Sequence, residues 1–320
     1  MHKRAFLVGG ICLAILYNGA AWSDAAKLTI PTLPVPSLGA FLGPVIKSEG
    51  FDAANGLDIK FQQKPTATYR TDFAAGTDLI GGSGTLLTDV ALIKEKGVDV
   101  VYLFNVFDFW ATVVVPKDSD VKSIVDLKGK TLAASLPTAN YTIFRYLAKL
   151  GGLDVSSVQL RNSDSSGLIP MAKAGRADAV QLWEPAFSLL THGSNNFRSI
   201  DIMSKWEDAT GLKTIPYLGI SAHQSWVDAN RAVIPKLFQT YKAAGEFIEK
   251  NPARAAEIIG KAASIPAPVI EELITSGRLR LNIYWGAEER AAATEIFKAA
   301  MNVGYLKKMP DESVLYAPGK

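Results

Sequence analysis

A single cysteine, Cys12, stands in 320 residues, so no disulfide can form within the chain and the disulfide-scaffold class is excluded. Three histidines, His2, His192 and His223, are too few and too scattered for a catalytic zinc site, which wants about three clustered ligands. Net charge is nearly absent as well. The 34 Lys+Arg residues stand against 31 Asp+Glu and are dispersed, which excludes a nucleic-acid groove. Beyond residue 21 no long apolar run occurs, so nothing downstream reads as a membrane span. With 48% apolar and 20% charged residues, the chain has enough apolar surface to offset the entropy of ordering. At this length one core stops growing efficiently, and two lobes are expected.

His2, Lys3 and Arg4 precede the apolar run Ala5 to Ala21, and small residues surround the boundary at Ala21-Trp22-Ser23. A basic start, a short apolar stretch and a small-residue boundary predict an export signal over residues 1–23, cleaved near Ser23. Gly9, Gly10, Asn18 and Gly19 interrupt the run, whereas a membrane anchor needs about 18 apolar residues. Gly9-Gly10-Ile11 before Cys12 is not a lipid-attachment pattern. Cleavage removes the one cysteine, so the exported product needs no oxidative folding.

The body alternates strands and helices. Lys27-Leu28-Thr29-Ile30 predicts a strand, Ser37 a cap, and Leu38 to Ser48 a helix with apolar residues at helical spacing. Leu57 to Phe61 predicts a second strand and Thr66 to Ala75 a helix closed by Gly76. Asp78-Leu79-Ile80 predicts a short strand, Gly81 to Gly84 a tight loop, Thr85 to Lys96 a helix, and Val98 to Phe104 a strand followed by a loop through Trp110. The alternation resumes with strands at Ala111 to Val115, Lys130 to Ala134, Val158 to Leu160 and Ala179 to Leu182, and helices at Tyr141 to Leu150 and Leu168 to Ala174. Ala75 to Ile80 is echoed by Ala174 to Val180, each with a helix-ending Gly and an Asp before a short buried strand. From Asn230 onward the pattern predicts helices, including Pro252 to Ala263 with Pro in the first turn. Two similar α/β lobes with a helical C-terminal tail follow, their strand-end loops facing across a cleft.

Catalytic and cofactor patterns fail in detail. Gly81-Gly82-Ser83-Gly84-Thr85 has Thr where a nucleophile elbow needs its second Gly, and neither His192 nor His223 stands in a triad-like context. Gly129-Lys130-Thr131 resembles the end of a phosphate loop, but Ile124 replaces the leading Gly and the stretch precedes a strand. Glu271-Glu272 and Glu288-Glu289 read as solvated helix faces, and no dinucleotide fingerprint occurs. No cofactor or metal is expected, and the chain is read as a binding protein without a reaction.

The strand-end loops carry the binding signal: Pro34 to Ser37, Gly82 to Thr85 and Asn105 to Trp110 from one lobe, Leu136 to Asn140 and Trp183-Glu184 from the other. Several lead directly into helices, so free backbone N–H groups and short hydroxyls favour an anion. Each hydroxyl could equally be a plain helix cap. Phe107, Phe109, Trp110, Trp183 and Tyr217 can wall an apolar ligand body or fill core, and Phe109 and Trp110 fit core better. Glu184 can accept from a ligand amine or meet a donor of the opposite lobe.

The signal segment, the Ser37 helix opening, Gly82-Ser83-Gly84, Val125-Asp126-Leu127-Lys128-Gly129-Lys130-Thr131, and Gly175-Arg176-Ala177-Asp178-Ala179 leading to Trp183-Glu184-Pro185 together resemble the nitrate/sulfonate/taurine type of ABC-transporter substrate-binding protein. The resemblance implies a periplasmic, monomeric Venus-flytrap protein of α/β lobes. It divides the chain into a signal (1–23), lobe 1 (24–112 and 215–320) and lobe 2 (113–214), with crossovers near Ala111 to Val114 and Lys213 to Tyr217. Such a protein closes on a small anion, a sulfonate, taurine, nitrate or aromatic carboxylate, and delivers it to a membrane permease with its ATPase. The implied ligand residues are Ser37, Ser83, Thr85, Thr138, Asn140 and Trp183, joined by Phe107, Glu184 and Tyr217 from the loop reading. No Arg stands in these loops, which disfavours a dicarboxylate. Two alternatives accompany this reading: a binder or maker of thiamine-precursor pyrimidines, and a periplasmic sensory module.

Overall fold

The computed structural model describes residues 25–319, and the expected export signal lies outside them. β1 (Ala26–Thr32) pairs in parallel with β2 (Leu57–Gln63), while β3 (Ile80–Leu86) and β4 (Val100–Asp108) enter a second sheet. β5 (Ala111–Pro116), β6 (Thr131–Ala134), β7 (Gln159–Asn162), β8 (Ala179–Trp183) and β9 (Phe197–Ile200) form a five-stranded sheet in the order β7-β6-β8-β5-β9. β10 (Pro216–His223) and β11 (Leu281–Trp285) return to the second sheet, whose order is β11-β4-β10-β3. Helices cover these sheets, with the apolar side chains of Phe41, Val45, Phe104 and Ile220 fully or almost fully buried. Leu168, Ala172, Val180, Leu182 and Leu190 form a separate small core on one side of the five-stranded sheet. Among the described residues no helix is long and apolar enough to cross a membrane.

Local signals place several elements at the expected bounds. The helix Thr66–Ala75 ends at Gly76, whose φ of 75° is readily adopted by a residue without Cβ. The helix Pro252–Ala263 begins with Pro in its first turn, where the missing N–H costs no helical hydrogen bond. The helix Ala139–Leu150 starts two residues ahead of the expected Tyr141, capped by Thr138, whose hydroxyl accepts from Tyr141 N.

Four expectations are corrected. Gly81 to Gly84 is not a tight loop but the middle of β3, because β10 pairs along it from Leu218 opposite Leu86 to Ala222 opposite Ile80. Its glycines serve close approach: a Cβ on Gly82 would stand 2.3 Å from Ile30 Cγ2, and one on Gly84 2.6 Å from Leu33 Cγ. The loop expected from Asn105 is strand up to Asp108, held by β10 and β11 on either side. The first crossover falls between Asp108 and Ala111 instead of over Ala111 to Val114, because Ala111 is already paired with Trp183 in β8. The C-terminal region is not wholly helical, since β11 adds to the free edge of β4, with Leu281 opposite Phe107.

Candidate functional site

The site is where the ends of β3 and β10 meet the first turn of the helix Ala139–Leu150. Tyr217 stands at the start of β10, next to the Leu218–Leu86 pair, and its hydroxyl donates to Asn140 Oδ1 across the two sheets. Burial pushes the Tyr217 hydroxyl far up, so it remains a donor at any physiological pH. Phe109 packs edge-on against Tyr217 at 5.2 Å, and Phe109 N donates to Ile215 O, so both chain crossovers bear on this ring.

The expected ligand residues divide into groups. Ser37 and Thr138 remain partly exposed at helix starts, but both hydroxyls also act as caps, Ser37 Oγ accepting from Gly39 N and Thr138 Oγ1 from Tyr141 N. Thr138 additionally donates to Ser135 O at 2.7 Å. Ser83 and Thr85 lie within β3, Thr85 opposite Gly219. Asn140 and Tyr217 are buried against each other. Trp183 ends β8 half-buried beside the crossover. Phe107 does not face the cleft: it is wholly buried in β4 between Leu218 and Leu281, and it fills core.

Glu184 meets a donor of the opposite lobe. Arg278, just ahead of β11, donates from Nε to Glu184 Oε1 at 2.9 Å and from Nη2 to Ser188 Oγ at 3.3 Å. The same guanidinium reaches Glu272 Oε1 at 3.0 Å and lies 5.3 Å over the Phe187 ring, which packs against Trp110. Burial pushes the Glu184 carboxyl up, against the pull of the Ser188 and Arg278 hydrogen bonds. Exposed Glu272 is held below its ordinary value by His192 first and then Arg278. With Arg278 on one oxygen and Ser188 on both, Glu184 ties the lobes together and is not presented to a ligand amine.

Sequence reasoning passed over a second cluster at the crossover. Asp108 is buried and accepts from Asn105 Nδ2 at 3.1 Å, Tyr284 at 3.0 Å and Asn282 Nδ2 at 2.8 Å. Burial raises its pKa to about 6, opposed by the Asn282 and Tyr284 hydrogen bonds and the Arg280 charge. A hollow of about 330 Å3 lined by Asp108, Lys213, Arg280 and Asn282 opens beside it, and another of about 800 Å3 lies by Arg231, Arg290 and Tyr316. Neither gathers strand ends from both sheets, so the Tyr217–Asn140 junction is the better candidate.

His223 accepts or donates at Nε2 with Phe73 O at 2.7 Å and packs edge-on to the Phe73 ring, a core arrangement. His192 pairs with Glu272 at an exposed position. Among the described residues no group of three or more His, Cys, Asp or Glu could hold a metal ion.

Two α/β lobes joined by crossovers have the fold of two-lobed periplasmic binding proteins. Residues 45–255 match the NMT1/THI5-like family, and the chain belongs to it. A protein of Escherichia coli (strain K12) named for binding aliphatic sulfonates is 22% identical over 160 residues, 49% of this chain and 47% of that protein. The chain therefore matches about half the length of that curated relative. The crystal structure of the periplasmic aliphatic sulphonate binding protein SsuA from Escherichia coli superposes with a TM-score of 0.75 at 17% identity, covering 93% of this chain and 94% of that one. The alkanesulfonate-binding protein SsuA from Xanthomonas axonopodis pv. citri, bound to MOPS, gives 0.72 at 17% identity over 90% and 96%.

Proposed function

We propose that the chain is the solute-binding component of an ABC importer, which captures a small organic sulfonate between its lobes in the periplasm and delivers it to a membrane permease with its ATPase. The observation that carries this reading is the Tyr217–Asn140 contact, which brings strand and helix ends of both lobes to one point. The sulfonate comes from the relatives named for that ligand and agrees with the hydroxyls and helix starts around the junction. One lobe comprises residues 24–108 and 215–320, the other 111–214, and closure buries the ligand while aligning both lobe surfaces for the permease. The protein works as a monomer after loss of a signal ending near Ser23. It binds without turnover, in keeping with the relatives, which are named as binding proteins.

The test is a thermal-shift panel on residues 24–320 with alkanesulfonates, taurine, nitrate, aromatic acids and pyrimidines. A ligand at about 100 times its Kd stabilises the fold by about 2.7 kcal/mol, a rise in Tm of several degrees. A sulfonate that raises Tm and is recovered unchanged supports the reading. A pyrimidine hit, a chemically altered ligand, or silence from every sulfonate in folded, ligand-free protein refutes it.

A further inference from the structure

The strand-end loops hold no arginine, yet the fold brings one to their edge. Arg70 lies in the middle of the helix Thr66–Ala75, next to Tyr69, whose hydroxyl donates to Gly82 O in β3. Its Nη2 stands 3.3 Å from Asp89 Oδ2, and among the described residues Asp89 is its only partner. The Arg70 side chain keeps 38% of its surface exposed, and one contact of this length leaves most of a five-donor fork open.

Asp89 occupies the first turn of the helix Leu87–Glu95, which begins where β3 ends. Its other oxygen, Oδ1, accepts from the Tyr305 hydroxyl, so the carboxylate is held from both sides and orients the guanidinium. The helix that carries Asp89 begins directly after Leu86, which pairs with Leu218, the neighbour of Tyr217, so the pair is anchored on an element that meets the interlobe contact. Tyr305 follows the helix Arg290–Asn302, whose end is tied to the opposite lobe by Lys149 Nζ to Asn302 Oδ1 at 3.0 Å and Arg145 Nη1 to Val303 O at 3.1 Å.

We infer that Arg70 contacts the anionic group of the ligand, with Asp89 and Tyr305 positioning its guanidinium. This rests on the proposed capture of a sulfonate between the lobes and adds the cation that the loops lack. Three oxygens sharing one negative charge suit a planar fork whose outer N–H groups are free. A neutral ligand of the same shape gains nothing from that fork.

Kd is measured by calorimetry for butanesulfonate and its neutral counterpart butanesulfonamide, on wild type, Arg70→Gln and Tyr305→Phe, at two salt concentrations. Arg70→Gln is expected to weaken butanesulfonate about 10-fold or more, to leave butanesulfonamide within about two-fold, and to flatten the salt dependence. Tyr305→Phe, which loosens the positioning, is expected to fall in between. A folded Arg70→Gln protein that binds butanesulfonate like wild type overturns the inference and leaves the proposed function standing. Equal weakening of both ligands overturns it too, since that is a packing effect. If wild type binds no sulfonate, function and inference fall together. Should Arg70→Gln not fold, Arg70→Gln with Asp89→Asn, which leaves no unpaired carboxylate, carries the same comparison.

Discussion

Asp108 sits where the chain passes from one lobe to the other, and its environment makes a pH-dependent contribution to stability that one substitution isolates. In the unfolded chain an Asp titrates near 3.8, whereas in the fold burial lifts Asp108 to about 6. Because the folded state holds the proton more tightly, the contribution is fully present below about pH 3.8 and is lost as pH rises through 6. The whole span corresponds to about 3 kcal/mol, of which about 2 kcal/mol falls between pH 4 and 7. Asp108→Asn abolishes this titration. Its carbonyl oxygen can still accept from Asn105 and Tyr284, and a flip of the Asn282 amide restores an acceptor for the new NH2 group. The variant should therefore fold. Urea unfolding followed by tryptophan fluorescence at steps across this range gives the two stability profiles, and other titrating groups cancel in their difference. The advantage of wild type over the variant should shrink by about 2 kcal/mol from pH 4 to 7 and then level off. Parallel profiles would show that Asp108 titrates normally and that its three hydrogen bonds offset its burial.

Two further substitutions test contacts that hold the lobes. Gly82→Ala should cost about 1–3 kcal/mol, since the new methyl group would overlap Ile30 and the Pro31 carbonyl, 2.3 and 2.9 Å from its ideal position; an unaffected Tm would mean that β1 and β3 are not packed this closely. Arg278→Ala should cost roughly 3 kcal/mol or more by leaving the Glu184 carboxylate buried without its cation, and adding Glu184→Gln should recover part of that loss. A single-variant cost under about 1 kcal/mol in urea unfolding would refute the buried-charge argument.

Local chemistry made much of the fold legible. Helix bounds at Thr66–Ala75 and Pro252–Ala263 follow from Gly, Pro and apolar spacing alone, and these signals need no partner. Where the reading failed, the deciding partner lay far along the chain. The glycines of β3 look like a turn until Ile30, Leu33 and β10 are seen pressed against them. β11 reads as part of a helical tail because its place is set by β4, and Asn282 finds Asp108 at a separation of 174 residues. The same distance hid the charges of the site: Arg278 and Glu184 are 94 residues apart, and Tyr305 and Asp89 are 216 apart. The internal echo shows the limit of a local resemblance. Asp78 accepts from the Lys64 ammonium, whereas its counterpart Asp178 accepts from Thr131 N, so a shared helix-Gly-Asp-strand pattern preserved the backbone course while the carboxylates took different work.

The distribution of bonds between the lobes bears on how a ligand could drive closure. Around the crossovers the interlobe bonds are Tyr217 on Asn140 and, partly buried, Arg278 on Glu184 and Ser188, with Glu272 beside Arg278 meeting His192. Away from them the ties are Arg145 to the Val303 carbonyl and Lys149 to Asn302, both at exposed positions. Each such bond contributes about 0.5–1.5 kcal/mol net, less when exposed to water. Swinging the far sides of the lobes apart breaks this second set, at a cost of at most about 3 kcal/mol. That is the same order as the 2.7 kcal/mol or so supplied by a ligand at about 100 times its Kd. For the proposed closure, open and closed forms lie within the range over which ligand binding can shift their populations. Tightening the outer set would lock the cleft, and weakening the inner set would loosen the hinge. Such a division of bonds suits the proposed role, in which the protein both captures and releases its ligand.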